Sequence, residues 1–321
     1  MTYDEIDTSA IDSDDIIGGV TSAGVYTGLG CVDLIYQTYN LIPSILAAPG
    51  WSEDPDVYAV MLVKASKING HWDAFVVADI PLHDTSAVNT IALAKTWQST
   101  NGYTNANSKV CWPQVKSATG EIYHLSTLCT WQMMLTDASH DGVPMETPSN
   151  KELPVVSQYF GSTSTNAGFD QTQGNELNAV GITTAVFWGG KWVLWGPHTA
   201  AYSFGMTDDA KNIFDNNVRM MMYVSNSFQR EHALTIDKPM TRALADTIRN
   251  REQQKADALA AVGAFIGAPV VEFREAENST DELVEGNFVW SFAGTPTPPF
   301  KSGTIKVAYT SAGFETFYEE V

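Results

Sequence analysis

The sequence predicts an α/β protein, with a parallel sheet made from βαβ units followed by a smaller α+β unit. Three observations carry that expectation. Residues 41–80 read as strand, helix and strand. Residues 182–195 read as a hairpin turning on Gly189-Gly190. After residue 207 the composition shifts to two long helical stretches, the second with a polar middle.

Taken in order, residues 1–20 look extended, and Asp12, Asp14 and Asp15 lack both the spacing and the terminal Glu of a calcium loop. Residues 29–39 suit a helix. Residues 42–48 form a short apolar run closed by Pro49-Gly50, the pattern of a buried strand. Ser52-Glu53-Asp54-Pro55 supplies a cap, negative charge at a helix start, and a proline where its missing N–H costs nothing. Val57, Val60, Met61 and Ile68 follow at helical spacing, and Asn69-Gly70 is the expected stop. Residues 72–80 are a second strand, so the pair must be parallel and its crossover right-handed.

Residues 85–98 then read as a helix and 110–115 as a strand interrupted by Pro113. Residues 125–135 read as a helix whose Trp131 and two methionines suit a core. Residues 137–176, rich in Ser, Thr, Asn, Pro and Gly, look like a surface excursion. The hairpin carries Trp188, Trp192 and Trp195, which fit either a binding face or the closure of a sheet edge. Residues 208–229 and 239–262 read as helices, and 270–274 and 287–292 as strands. The expected domains are 1–207 and 208–293, with 294–321 as an extended C-terminal arm.

The chain has 321 residues, 44% of them hydrophobic, enough for a sizeable core. No apolar run approaches the roughly 18–20 residues that cross a bilayer. The acidic start MTYDEIDTSAIDSDD is unlike a signal peptide, and three cysteines without close spacing suit a reducing compartment better than a disulfide framework. A net charge of −19 argues against binding a phosphate backbone. The charge is segregated: residues 1–63 hold ten acidic side chains and no Lys or Arg, 211–255 hold eight basic and five acidic, and 271–321 hold nine acidic and three basic. That distribution fits a solvated surface or charge complementarity between subunits.

Several passages, in order, are similar to the tail sheath proteins of contractile phages, prophages and phage-tail-like bacteriocins. They are DTSAIDSDDIIGG, TGLGCVDLIYQTYNLIPSILAAPGWSEDPDV, KASKINGHWDAFVVADIP, NSKVCWPQVK, IYHLST, DKPM and PVVEFREAENSTDEL, spanning residues 7–283. The resemblance implies a subtilisin-like middle domain without protease chemistry, a C-terminal α+β domain and an extended arm. It implies a structural subunit that polymerises helically, six to a ring, around a tail tube, with baseplate and tail terminator proteins as further partners. It also implies a place in the virion, reached by assembly in the host cytoplasm. Contraction would draw on a metastable lattice rather than a nucleotide, in keeping with the lack of a P-loop. The segment matched at the start is one that normally follows an N-terminal domain, so the chain is expected to correspond to the middle and C-terminal domains.

A subtilisin-like architecture invites a search for a triad. His124, Ser126 and Asp79 can be drawn as one, but the His-Gly-Thr and Gly-Thr-Ser-Met segments of subtilisins are missing, as is a G-x-S-x-G elbow. The six histidines show no H-E-x-x-H spacing, and Gly28-x-Gly30 is not a dinucleotide fingerprint. No catalytic residue, cofactor or metal is expected. The rivals to a sheath subunit are an inactive hydrolase-like binding module and, behind it, a true hydrolase.

Two sets of residues are expected to meet neighbouring subunits. Arg242, Arg249, Arg251 and Lys255 lie along the polar middle of the second long helix. In the arm, Pro296, Pro298 and Pro299 make a stiff spacer. Ile305, Val307 and Tyr309 then alternate with Thr304, Lys306 and Ala308 as in a strand with one apolar face, and Phe314, Phe317 and Tyr318 follow as aromatic anchors. Strand addition to a neighbour and folding back on its own domain are both open to such a segment; the first is favoured.

Overall fold

A computed structural model of the chain describes residues 11–82, 88–161, 168–207 and 209–317. In chain order the elements begin with α1 (Ser13–Ile17), β1 (Gly19–Val20), β2 (Tyr26–Thr27), a 3-10 segment (Gly28–Leu34) and α2 (Ile35–Tyr39). Next come β3 (Ile45–Ala47), α3 (Pro55–Ala65), β4 (Phe75–Asp79), α4 (Ile91–Thr100), β5 (Ser108–Cys111), β6 (Gln114–Lys116), β7 (Ile122–Tyr123) and α5 (Leu125–Ala138). β8 (Ser157–Tyr159), α6 (Gln171–Asn178), β9 (Ile182–Trp188) and β10 (Lys191–Trp195) complete the first half. The rest is α7 (Asp215–His232), α8 (Arg242–Ala261), β11 (Phe265–Glu272), α9 (Thr280–Glu285) and β12 (Ser291–Pro296).

The central sheet has five strands in the order β10-β9-β5-β4-β3. β3, β4, β5 and β9 are parallel, and β10 returns antiparallel from β9. The βαβ unit expected over 41–80 is present, with Ile45 opposite Phe75 and Ala47 opposite Val77. Asp54 caps α3 through its side chain with Pro55 at the first position, as the sequence suggested. The helix ends at Ala65 rather than at Asn69-Gly70. Those two residues, with Lys67, take positive φ in a turn that brings Ile68 opposite Trp72.

Both faces of the sheet are buried, which is why β4 reads as a continuous apolar run. Val76 and Ala78 join one core with Val57, Met61 and Trp112; Phe75 and Val77 join a second with Leu125, Cys129, Met133 and Val218. α6 packs so closely on β9 and β10 that a Cβ at Gly174 would sit 2.9 Å from Val186 Cγ1. A larger residue there would have to push the helix off the sheet.

Three expectations change in detail. Pro113 does not merely interrupt a strand: β5 stays in the central sheet while β6 enters a separate sheet ordered β7-β6-β8. The intervening Trp112 is buried and donates its indole N–H to Val88 O at 2.7 Å. The stretch 137–176 is not a surface excursion throughout: residues 147–155 within it pack on the central sheet. Thr147, Leu153 and Val155 are buried, and residues 150–153 bond to Trp192 and Leu194 along the outer edge of β10. The helix expected over 85–98 is α4, which begins at Ile91; residues 83–87 lie outside the described residues.

Beyond the central sheet, α7 and α8 support a two-stranded antiparallel ribbon of β11 and β12 with a bulge between Ile266 and Val270. Pro296 belongs to this ribbon, opposite Phe265, so the stiff spacer begins after it. A proline at the last position of an edge strand forfeits no ladder bond inside the sheet.

Candidate functional site

The residues drawn as a triad do come together, at the carboxyl end of β4 where α/β proteins commonly place ligands. Asp79 ends that strand, and Ser126 and His124 lie at the start of α5. Ser126 is fully buried and gives both its donors to Asp79, the backbone N–H to Oδ1 at 2.9 Å and the hydroxyl to Oδ2. Ser52 Oγ accepts the Asp79 N–H at 3.1 Å. His124 Nδ1 lies 3.2 Å from Glu53 Oε1 and 3.7 Å from Asp79 Oδ2.

A nucleophilic triad needs the serine hydroxyl on the imidazole and the carboxylate behind the imidazole. Here the hydroxyl is bound to the carboxylate itself, out of reach of any substrate. In this arrangement the serine hydroxyl is a partner of Asp79 and not of the imidazole. Burial pushes Asp79 up to about 6 even though Ser126 and His124 favour its ionised form. The hydrogen bond to Glu53 and the nearby Asp79 raise His124 above its ordinary value against the opposing effect of burial. The cluster fastens the turn before α3, the end of β4 and the start of α5 to one another.

A second polar site was not foreseen from the sequence. α7 presents Asp215, Arg219 and Asn226 on one face to the central domain. Lys109 on β5 is completely buried and binds Asp215, Gly196 O at 2.6 Å and His198 O at 3.3 Å. Arg219 meets Asp137 at the end of α5 through both guanidinium NH2 groups. Asn226 pairs with the backbone of Asp73, accepting its N–H at 3.0 Å and donating to its carbonyl at 2.7 Å. α7 is therefore tied by polar contacts to the same layers that form the core, and its other side faces α8 and the ribbon.

The predicted contact residues of α8 have partners within their own chain. Lys255 binds Glu231 and Glu252, the latter at 2.7 Å; Arg251 lies 3.5 Å from Glu231, Arg242 bonds Asp246 at 3.1 Å, and Arg249 bonds Asn250 at 2.7 Å. These pairs are exposed or half-buried, so each keeps donors for a further partner. Between α7, α8 and the ribbon lies a cleft of about 560 Å3, lined by Met221, Val224, Phe228, Leu259, Trp290 and Phe292 among others.

Past Thr297, whose N–H bonds to Ala264 O at 3.0 Å, the chain leaves its domain. Residues 304–310 form no strand and pair with no other described residue by backbone bonds. The apolar alternation stays unsatisfied: Ile305 and Val307 are 85% exposed and Tyr309 84%. A single 3-10 turn, Ala312–Phe317, stacks Phe314 and Phe317 at 6.0 Å between ring centroids, both facing solvent. Tyr318 lies outside the described residues.

The hairpin tryptophans divide their work. Trp195 donates to Asn175 Oδ1 at 2.9 Å and helps hold α6, whereas Trp188 at the tip is 46% exposed beside Phe187 at 56%. Among the described residues no His, Cys, Asp and Glu group has the geometry of a metal site, and no helix is long and apolar enough to cross a membrane. Asn278, in a glycosylation-like triplet, is buried with its amide bound to Arg274 O and Val289 O.

No protein-family model matches the chain. Tail sheath proteins of phages and prophages match it by sequence, and contractile injection-system sheaths match it by structure. The tail sheath protein of Burkholderia phage BcepMu is 26% identical over 97% of this chain, which spans 64% of that relative's length. The sheath complex of an extracellular contractile injection system in its contracted state superposes with a TM-score of 0.67 at 15% identity, covering 90% of this chain and 77% of that one. A chain of the anti-feeding prophage baseplate superposes with a TM-score of 0.66 at 18% identity, covering 88% and 72%. The mixed α/β fold around a partly parallel sheet is that of sheath proteins.

Proposed function

We propose that this chain is a structural subunit of a contractile tail sheath. In this reading it polymerises helically, six subunits to a ring, around a tail tube, and the lattice shortens to drive the tube through a target envelope. The tail tube protein, the baseplate and a tail terminator are its partners. It works in the virion after assembly in the host cytoplasm. The observation that carries the reading is collinear similarity to a phage tail sheath protein over 97% of the chain. The sheath fold of its structural neighbours and the exposure of Ile305, Val307 and Tyr309 in a segment that forms no strand with any other described residue support it.

The proposed organisation has a subtilisin-like domain at 1–207, an α+β domain from 208 that extends past the expected 293 to the end of β12 at Pro296, and an exchanged arm beyond it. Residues 304–309 add as a strand to a neighbour's sheet, where backbone bonds supply attachment and alternating apolar side chains supply register. Arm exchange of this kind keeps subunits linked while their bodies rotate. The proposed role is non-enzymatic, since Ser126 spends its hydroxyl on Asp79.

Electron microscopy of the purified chain tests this reading. Rings or hollow tubes support it; a monodisperse monomer at all concentrations and salts overturns it. The alternative, a catalytically inactive hydrolase-like binding module, draws on the exposed Phe187 and Trp188 at the hairpin tip. It requires that monomer, together with saturable binding lost on Trp188→Ala.

A further inference from the structure

We infer that Cys111 and Cys129 are a redox pair: two core thiols that a peroxide closes to a disulfide across the contact between β5 and α5, stabilising the central domain. The inference does not depend on assembly. It stands on where two elements of one domain place two sulfurs.

β4 and β5 are parallel neighbours with Asp79 opposite Cys111, and residues paired across a ladder share a face of the sheet. That face carries α5. The Asp79 carboxylate accepts both the N–H and the hydroxyl of Ser126, which pins the first turn of α5 over the ends of these strands. Cys129 is three residues further along the helix, so it projects from the same side as Ser126, toward the sheet. Both cysteines accordingly sit in one core cluster with Phe75, Val77, Leu125 and Met133, and neither reaches solvent. Their thiols are hydrogen-bonded to each other. Cys31 takes no part: it is exposed, and its Sγ donates to Tyr26 O at 3.5 Å.

The chemistry balances with a peroxide as the oxidant. One sulfur, as thiolate, attacks the O–O bond to give a sulfenic acid, and the departing hydroxide takes up the proton that the thiol released, as water. The second thiol then displaces the sulfenic oxygen as another water, and the S–S bond forms. Two S–H bonds are lost and two electrons pass from the sulfurs to the peroxide. From hydrogen-bonding contact the sulfurs have only to close to about 2.05 Å. Burial pushes the Cys111 thiol well above its ordinary value, and the neighbouring Cys129 adds to this, so the attacking thiolate is scarce and the reaction slow in the closed core. The same burial protects the product, because a reducing thiolate must enter the core to reach it.

The bond joins the end of β5 to the second turn of α5 and closes residues 112–128, with β6 and β7, into a loop. Such a loop restricts the unfolded chain and raises stability. On the sheath reading, a subunit made in a reducing cytoplasm carries the two thiols and gains the cross-link after release.

Peptide mapping of the full chain with Cys31→Ser tests this. The folded protein is treated with hydrogen peroxide, and remaining thiols are blocked in denaturant. Trypsin cuts after Lys109, Lys116 and Lys151, which puts Cys111 on peptide 110–116 and Cys129 on peptide 117–151. The expected result is these two peptides joined, from protein of monomer size, with both blockable thiols lost. The melting temperature should rise by about 5 °C relative to Cys129→Ala treated in the same way, and dithiothreitol should reverse the rise.

Thiols that stay open to blocking after prolonged treatment would overturn the inference. So would sulfinic or sulfonic acid at either position without joined peptides. Joined peptides that appear only when peroxide meets the unfolded chain would also refute it, since the folded core would not be what pairs the sulfurs. A cross-link that leaves the melting temperature unchanged or lower would remove the stabilising role. The sheath reading survives each of these outcomes and is decided separately by the micrographs.

Discussion

Lys109 and Asp215, 106 positions apart in sequence, form an ion pair in which neither side chain reaches solvent. Every partner is accounted for: Lys109 also serves two carbonyls, and Asp215 also accepts from Thr147 Oγ1 at 3.1 Å and from Asn216 N at 2.6 Å. Removing one member of such a pair strands the other charge, which typically costs about 3–5 kcal/mol, whereas replacing both can be far milder. Lys109→Met should therefore lower stability by that order in urea denaturation. The double variant Lys109→Met, Asp215→Leu should lose clearly less than the two single losses added together. Simple additivity would show that the pair is not what holds α7 to the sheet.

The carboxylate–histidine cluster predicts a pH dependence with a definite sign. His124 has a folded pKa above its ordinary 6.5, so its stabilising contribution is complete below about 6.5 and is lost as pH rises through the folded value. Asp79, pushed from 3.8 to about 6, acts in the same direction between those values, because the folded state holds the proton more tightly. The groups facing the imidazole are Glu53, Asp79 and Gln114. A parent-minus-variant comparison with His124→Gln isolates the histidine. The gap in melting temperature should be widest below about pH 6.5 and narrow as pH rises through the folded value. A gap that widens with rising pH would contradict the charge pairing.

The same cluster should be inert as chemistry. Ser126→Ala with His124→Ala is expected to change stability and leave assembly intact wherever the chain remains folded. A hydrolytic activity in the parent that vanishes in this double variant, measured over peptide and ester substrates, would reverse the non-enzymatic assignment.

Arg249 and Arg251 give a prediction at the surface. Their partners within the chain, Asn250 and Glu231, are weakly held, and an exposed pair contributes roughly 0.2–1 kcal/mol. Reversing both to Glu should leave the fold almost unchanged but slow assembly at low salt, with the difference fading as salt screens the rim. Light-scattering traces that coincide with the parent at every ionic strength would exclude a role for these residues between subunits.

Legibility in the sequence followed the physics of each element. The βαβ unit was readable because β3 and β4 are short apolar runs set off from α3 by strong punctuation, Pro49-Gly50 and Asp54-Pro55 before the helix and Asn69-Gly70 after it. The β9–β10 hairpin was readable because Gly189 and Gly190 both take positive φ at the turn. α7 was readable as a helix over 208–229, but the burial of Asp215 and Arg219 was not. Only the folded chain brings Lys109 and Asp137 to them. The stretch 137–176 misled for a related reason: its polar composition hides Leu153 and Val155, which seal the edge of β10. The arm was readable as an alternation, yet its partner was not, because residues 304–310 form no strand with any other described residue.

The arm also supplies the most direct test of assembly. The segment from residue 301 onward contributes little to its own domain: Ile305, Val307 and Tyr309 are exposed, and the ribbon closes earlier, at Thr297. The one described tie back is Lys301, whose Nζ lies 5.0 Å above the Tyr202 ring, a cation–π contact of roughly 0.5–1 kcal/mol at an exposed site. Deleting residues 301–321 should therefore leave the melting temperature nearly unchanged while abolishing assembly, leaving a soluble folded monomer. A graded intermediate is informative as well. Val307→Pro removes one backbone donor from the added strand and should weaken assembly without touching the fold, because that N–H has no partner among the described residues of its own chain. Tubes that form normally from the deletion, or an assembled structure in which residues 304–309 pair only within their own chain, would rule out arm exchange.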